Sequence, residues 1–257
     1  MSNPVKITLA IITLNEERNI ERCIRSVPFA DDVVVLDSGS TDRTLEIARR
    51  LGARVSTGPW RGYSKQKTRA GALGMHNWVL SLDADEALSD EAQKELQEIL
   101  EKGELDKAAY SFPRKTWHLG RWLMHGGCYP DRQIRLYNRD ECNWSDTEVH
   151  EHIQAPSVGK LKKDILHWSF QDVAHQINTI NKYSGLRAQD ELNSGKSFSY
   201  FKLFTKPLSR FIQNYFFKLG FLDGLAGYQV AKVSAFSYFL RLIKIKELND
   251  RKRNASN

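Results

Sequence analysis

Acidic, amide and hydroxyl side chains stand at or directly behind three short apolar runs. Thr13, Asn15 and Glu16 close the run Ile7–Thr13, Asp37 and Asp42 follow Val33–Leu36, and Asp83, Asp85 and Glu86 follow Trp78–Leu82. Carboxylates as close as those of Asp83-Ala84-Asp85-Glu86 repel one another unless a cation neutralises them. Oxygen ligands alone select a hard cation, Mg²⁺ or Mn²⁺, which keeps some waters and completes its shell with substrate phosphates. The competing reading is a solvated acidic loop ahead of the helix that Ser89 caps. The loop follows a buried strand and shares an edge with Asp37, which favours the cation.

The elements that must hold these residues are legible in the first hundred positions. Ile7–Thr13, Val33–Leu36 and Trp78–Leu82 are short and apolar on both faces, as buried parallel strands are. Between them, helical spacing covers residues 16–27, 41–51 and 63–74, and a further helix runs from Ser89 to about Glu101. Ser40 or Thr41 is the expected N-cap of the second helix and Gly52 its stop. Strands alternating with helices imply α/β architecture with a mostly parallel sheet, whose ligand edge is the carboxyl end of the strands. Shorter β-like runs follow at Ala109–Pro113, Gln133–Tyr137, Val149–Ile153 and Ile165–Phe170, then an amphipathic helix over 171–193.

The 257 residues are 41% hydrophobic and 27% charged, which places the chain among soluble globular proteins. The net charge of +7 is unevenly spread: residues 196–246 carry +8, with nine Lys or Arg against Asp223 alone. The same segment holds thirteen of the 27 aromatic residues. Three scattered cysteines without a C-x-x-C pair point to a reducing compartment. The polar start and the lack of a long apolar run lead us to expect a cytoplasmic chain without signal or transmembrane helix.

The series LAIITLNEERNIERCIRSV, VVVLDSGSTDRT and GYSKQKTRAGAL…WVLSLDADE resembles the family-2 glycosyltransferases of GT-A fold across residues 5–100. EVHEHI and PLSRFIQNYFFKLGFLDGLAGYQVA resemble, more narrowly, bacterial lipopolysaccharide-core glucosyltransferases acting on inner-core heptose. The resemblance implies a UDP-sugar donor, UDP-glucose first, with inversion at the anomeric carbon. It implies that Thr13, Asn15 and Glu16 line the base and ribose, and that Asp37 accepts from the uracil imide. Asp83 would hold the ribose or a metal-bound water, Asp85 the metal, and Lys65, Gln66, Lys67 and Arg69 the phosphates. Asp131, Asp146, Glu148 and Glu151 are candidate bases. Val149-His150-Glu151 matches the subfamily motif, so Glu151 is the implied base and Glu148 its rival. His150 and His167 are read as structural before metal or phosphate contacts, and Arg135 as a phosphate contact or an exposed strand position.

Two domains are expected: 1–195 as the GT-A catalytic domain and 196–257 as a basic aromatic tail. Pro207, Gly220, Gly224 and Gly227 should break that tail into two or three amphipathic helices. Aromatic bodies with cationic flanks suit an anionic membrane surface, and the implied acceptor is itself an anionic lipid-linked saccharide on the inner membrane's cytoplasmic leaflet. Packing against the catalytic domain or a second subunit is the competing reading. Basic aromatic composition also fits nucleic-acid binding, but the remaining residues are slightly negative and no nucleic-acid motif is present, so no nucleic-acid partner is expected. A nucleotide-sugar-binding module without catalysis is the remaining alternative.

Overall fold

The computed structural model describes residues 4–103, 105–145, 151–170 and 172–255. Two compact units emerge. One comprises residues 1–115 and 131–168, the other 116–130 and 169–257.

In the first unit, β1 (Ile7–Thr13) is buried along its whole length. It is followed by α1 (Ile20–Arg25), β2 (Asp32–Asp37), α2 (Thr44–Arg50), β3 (Arg54–Thr57), α3 (Tyr63–Ala72), β4 (Trp78–Asp83), β5 (Glu86–Leu88) and α4 (Asp90–Lys102). β6 (Ala109–His118) runs out of this unit; its last three residues pair with β7 (Arg121–Leu123) in the second. The first unit resumes with β8 (Asp131–Asn138), β9 (Asn143–Trp144), β10 (Ile153–Gln154), β11 (Val158–Lys160) and β12 (Ile165–His167).

The architecture is α/β, as expected from the alternating strands and helices. Its main sheet runs β3-β2-β1-β4-β8-β6-β12-β5, with β11 beside β6. The first four strands are mutually parallel, whereas β8 is antiparallel to both β4 and β6. Parallel strands need covering on both faces, which is why Leu9, Ile11, Val35, Leu80 and Leu82 on one face and Ala10, Ile12, Leu36 and Val79 on the other are all buried. The register sets Thr13 opposite Asp37 and Ile12 opposite Asp83, so three strand ends carry polar groups at one level.

Helix ends follow local chemistry, with one correction. Ser89 caps α4 by accepting from the Ala92 amide at 3.2 Å, and Gly103 closes that helix in the left-handed conformation. Neither Ser40 nor Thr41 caps α2, which starts later. The Ser40 hydroxyl donates to Asp37 instead, and the Thr41 amide donates to Asn15 Oδ1 at 2.8 Å. Of the β-like run Val149–Ile153, Val149 and His150 lie outside the described residues; Ile153 begins β10.

The second unit is helical: α5 (Val173–Asn193), α6 (Tyr200–Ile212), a π turn at Gln213–Phe217, a 3₁₀ turn at Gly220–Asp223 and α7 (Gly224–Ala255). Ala231, Ala235, Leu242 and Ile245 recur at helical spacing along α7 and are buried. Pro207 and Gly227 do not break the tail. Pro207 sits inside α6, and Gly227 lies in α7 where a Cβ would stand 1.9 Å from the Gly220 carbonyl oxygen. That glycine permits backbone contact rather than a turn. No helix among the described residues is long and apolar enough to cross a membrane.

Candidate active site

At the ends of β1 and β2 two loops are stapled together. Asp37 is buried and accepts from the Gly39 and Ser40 amides at 2.8 and 2.9 Å, a turn that Gly39 allows with φ +108°. Asn15, itself left-handed at φ 57°, donates its amide to Ser40 Oγ at 2.8 Å. The Glu16 amide reaches Thr44 Oγ1 at 2.8 Å, and its carboxylate accepts from Asn19 at 2.7 Å. Burial pushes Glu16 up to about 7, aided by the fields of Asp85, Asp42 and Asp83 against the Asn19 hydrogen bond. Gln66, fully buried, donates to Ser38 Oγ at 2.9 Å. Its Oε1 and the buried Thr13 hydroxyl have no partner among the described residues. Thr13, Asn15, Glu16, Asp37 and Gln66 are thus gathered at one edge. Lys65 is exposed on α3 between buried Ser64 and Gln66.

The end of β4 is built differently. The Asp83 carboxylate lies 3.0 Å from Lys67 Nζ and 2.9 Å from Arg135 Nη2. Lys67, 3% exposed, also reaches Glu151 at 3.2 Å, with the Trp144 ring centroid 5.1 Å from its ammonium. Arg135 continues to Glu86 at 2.6 Å; Arg114 joins Glu86 at 2.8 Å and Asp131 at 3.0 Å. Acids and bases therefore alternate from Glu151 through Lys67, Asp83, Arg135, Glu86 and Arg114 to Asp131. Burial opposes ionisation of Asp83, but Lys67 and Arg135 outweigh it and hold its carboxyl below the usual range. Glu86 is likewise held low by Arg135 and Arg114 against its burial. The repulsion expected among these acids is relieved by the protein's own cations.

Asp85 stands apart from that chain, with its Oδ2 3.2 Å from His167 Nε2 and its carbonyl accepting from the Trp168 amide at 2.9 Å. The Arg22 guanidinium lies 3.4 Å from the Trp168 ring centroid. No group of three or more metal-ligating side chains occurs among the described residues. A carboxylate beside an imidazole nevertheless fits a divalent ion whose remaining positions are filled by water and phosphate.

Glu151, Lys67, Asp83, Arg135 and Trp144 line a cavity of about 280 Å³, together with Arg114 and Arg132. Asp146, Glu148 and His150 lie outside the described residues. Arg114, Arg132 and Trp144 were not singled out from the sequence, and Glu86 was read there only as one more acid of the loop after β4. The available signal was the arginines: Arg135 stands between Ile134 and Leu136 and Arg114 directly follows Phe112-Pro113, and a buried cation requires an acid. Arg135 is buried, not an exposed strand position.

The family model for glycosyl transferase family 2 matches residues 8–166, more than half of the chain, including every cavity residue named above. This chain belongs to glycosyltransferase family 2. Along nearly its whole length the transferase is similar to an uncharacterized glycosyltransferase of Rickettsia typhi, 35% identical over 97% of this chain and 89% of that one. It is also 31% identical to the lipopolysaccharide core biosynthesis glycosyltransferase LpsC of Rhizobium meliloti, over 91% of this chain and 90% of the relative. Among solved structures, the transferase aligns with glucosyl-3-phosphoglycerate synthase of Mycobacterium tuberculosis, solved with Mn²⁺, UDP and phosphoglyceric acid. That match is 28% identical over 44% of this chain and 43% of the other, with a TM-score of 0.36.

Proposed function

We propose that this family-2 transferase moves a hexose, glucose first among them, from a UDP-sugar to an inner-core heptose of lipopolysaccharide, with inversion. The observation that carries the reading is the Lys67 bridge, 3.0 Å from Asp83 and 3.2 Å from Glu151, which sets a donor-side carboxylate and a base in one cavity. The similarity to LpsC supports the acceptor class.

In this reading the buried edge of Thr13, Asn15, Glu16, Asp37 and Gln66 receives the uridine. Two buried oxygens without a partner among the described residues, on Thr13 and Gln66, support a polar ligand there. Lys65 contributes a long-range positive charge to the phosphates. Asp85 and His167 would hold Mg²⁺ or Mn²⁺, with Asp83 nearby for ribose or a metal-bound water; the ion supplies positive charge to the leaving diphosphate. Glu151 takes the proton of the acceptor hydroxyl as its oxygen attacks the anomeric carbon from the face opposite the diphosphate. The bond from that carbon to the phosphate oxygen breaks in the same displacement, UDP leaves with its negative charge, and the product is β-linked. Lys67, held by the donor-side Asp83, is already in place where that charge grows, so stabilisation requires no reorganisation.

The second unit supports an acceptor on an anionic membrane surface, at the cytoplasmic face of the inner membrane. Phe201, Phe204 and Phe217 are 77%, 74% and 79% exposed, and residues 196–222 contain no acid beside Lys202, Lys206, Arg210 and Lys218. An apolar body with cationic flanks matches the interface of anionic lipid. Residues 1–195 would carry the chemistry and 196–257 the surface.

The test is a donor screen. UDP-glucose, UDP-galactose and UDP-N-acetylglucosamine are offered with truncated core lipid, with and without EDTA, and the product is read by mass spectrometry. A single hexose added from UDP-glucose, abolished by EDTA and by Asp85→Ala, is expected. Transfer that survives both would remove the metal from the scheme, and transfer only to a different glycan would remove the heptose.

A further inference from the structure

The cavity beside Glu151 holds cationic donors that its own carboxylates do not use. Lys67, Arg135 and Arg114 are each shared between two acids, as described. Arg132 is held differently. Its Nη2 donates to the Ser111 and Leu161 carbonyls at 2.8 and 2.6 Å, and its Nε reaches Ser111 Oγ at 3.4 Å. Among the described residues no carboxylate neutralises it, and Nη1 has no acceptor. The guanidinium is thereby pinned by carbonyls, and the exposed side chain lines the cavity. On the same wall, Arg135, 3% exposed, keeps a buried Nε with no acceptor among the described residues. Buried donors in folded proteins almost always find partners, so an unpaired Nε in a cavity wall points to a ligand atom. Two guanidinium groups with free N–H bonds match the oxygens of a phosphate or carboxylate, which arginine recognises by shape as well as charge.

We infer that the acceptor carries an oxyanion, a phosphate or carboxylate substituent, which Arg132 and Arg135 bind beside the hydroxyl that Glu151 deprotonates. This rests on the function proposed above. The residues assigned to uridine, Thr13, Asn15, Asp37 and Gln66, do not line this cavity, whereas the base does; the donor-side pair Asp83 and Lys67 lines it too but is already ion-paired, so the two arginines are assigned to the acceptor, and the donor's diphosphate is the outcome the experiment separates. The oxyanion would select which saccharide presents its hydroxyl.

The experiment compares a neutral methyl heptoside with the same heptoside bearing a phosphate monoester, using the full-length protein and UDP-glucose, with UDP affinity measured separately. Wild-type enzyme should favour the phosphorylated acceptor in kcat/KM by about tenfold, the worth of one hydrogen bond to a charged group. Arg132→Gln should bring that ratio close to one through acceptor KM while UDP affinity changes less than about twofold; Arg132→Lys, which keeps the charge and loses the fork, should recover part of it. Equal wild-type use of the two acceptors overturns the inference and leaves the proposed function standing. Weakened UDP binding in Arg132→Gln with the acceptor preference intact also overturns it, and gives the oxyanion to the donor. Absence of transfer to either heptoside from any UDP-sugar, with UDP still bound, overturns the heptose reading itself and this inference with it.

Discussion

Around Asp83 the cations are buried and each is shared between two carboxylates, whereas along α6 they stand in water among exposed phenyl rings. The residue types are the same and the work differs. Taking Lys67 and Arg135 out of water costs several kcal/mol per ion, which only opposed charges and good hydrogen bonds offset. Once that cost is met the charges are fixed in place, ready for a reaction that develops new charge. On α6 the lysines lose almost no hydration and are screened by salt, so they act weakly on one another and strongly only on a charged surface. The first region makes a site; the second makes a face.

The sharpest way to break this contrast is at the base. Glu151→Gln removes the proton acceptor and leaves its size, and turnover should fall about 10²–10⁴-fold with UDP binding retained. A Glu148→Gln variant with that phenotype, and a normal Glu151→Gln, would move the base. Next comes the buried network. Arg135→Met leaves Glu86 and Asp83 without a shared cation, and urea unfolding should show a loss of about 3–5 kcal/mol; a loss below about 1 kcal/mol would mean that the pairing is not what holds these acids charged. On the other side of the comparison, Phe201→Ser with Phe204→Ser should lower partitioning onto anionic vesicles by more than about tenfold. Lys202→Ala or Lys206→Ala should each lower it only about fivefold, and only at low salt. Partitioning that ignores the phenylalanines would reduce α6 to a merely electrostatic surface.

A pH effect in the first unit lies at Glu16. Its carboxyl is pushed up to about 7 from 4.5, by burial first and then by Asp85, Asp42 and Asp83. Between those values the folded state holds a proton that the unfolded chain has released, so stability is greatest below about pH 4.5 as far as this group is concerned. It declines as pH rises through about 7. Glu16→Gln should flatten that decline, by roughly 2 kcal/mol after allowance for solvent screening, as read from denaturation at pH 5 and pH 8. An unchanged slope would show that Glu16 ionises normally.

Much of the α/β half was readable because its signals are local. ITLAIIT is apolar on both faces, which is only economical for a strand covered on both sides, and Ser89 and Gly103 cap α4 by contacts within a turn. Asp37 and Asp83 could be paired from sequence for the same reason: each ends a buried strand, so the sheet brings them level. Glu86 could not be read this way. It looks like one more acid in a loop, yet it begins β5 and is fixed by Arg114 and Arg135, 28 and 49 residues away. Pro207 misled in the opposite sense, since α6 runs through it.

Composition and short-range pattern determined the strands, the acids at their ends and the cationic aromatic character of the last sixty residues, because backbone hydrogen bonding and hydrophobic periodicity act over a few residues. Which acids stay charged, which of Lys65, Gln66 and Lys67 faces inward, and which arginine is left with open donors were decided only by the folded chain. Those outcomes depend on desolvation and on partners brought close from distant positions, and neither quantity exists until the sheet has assembled.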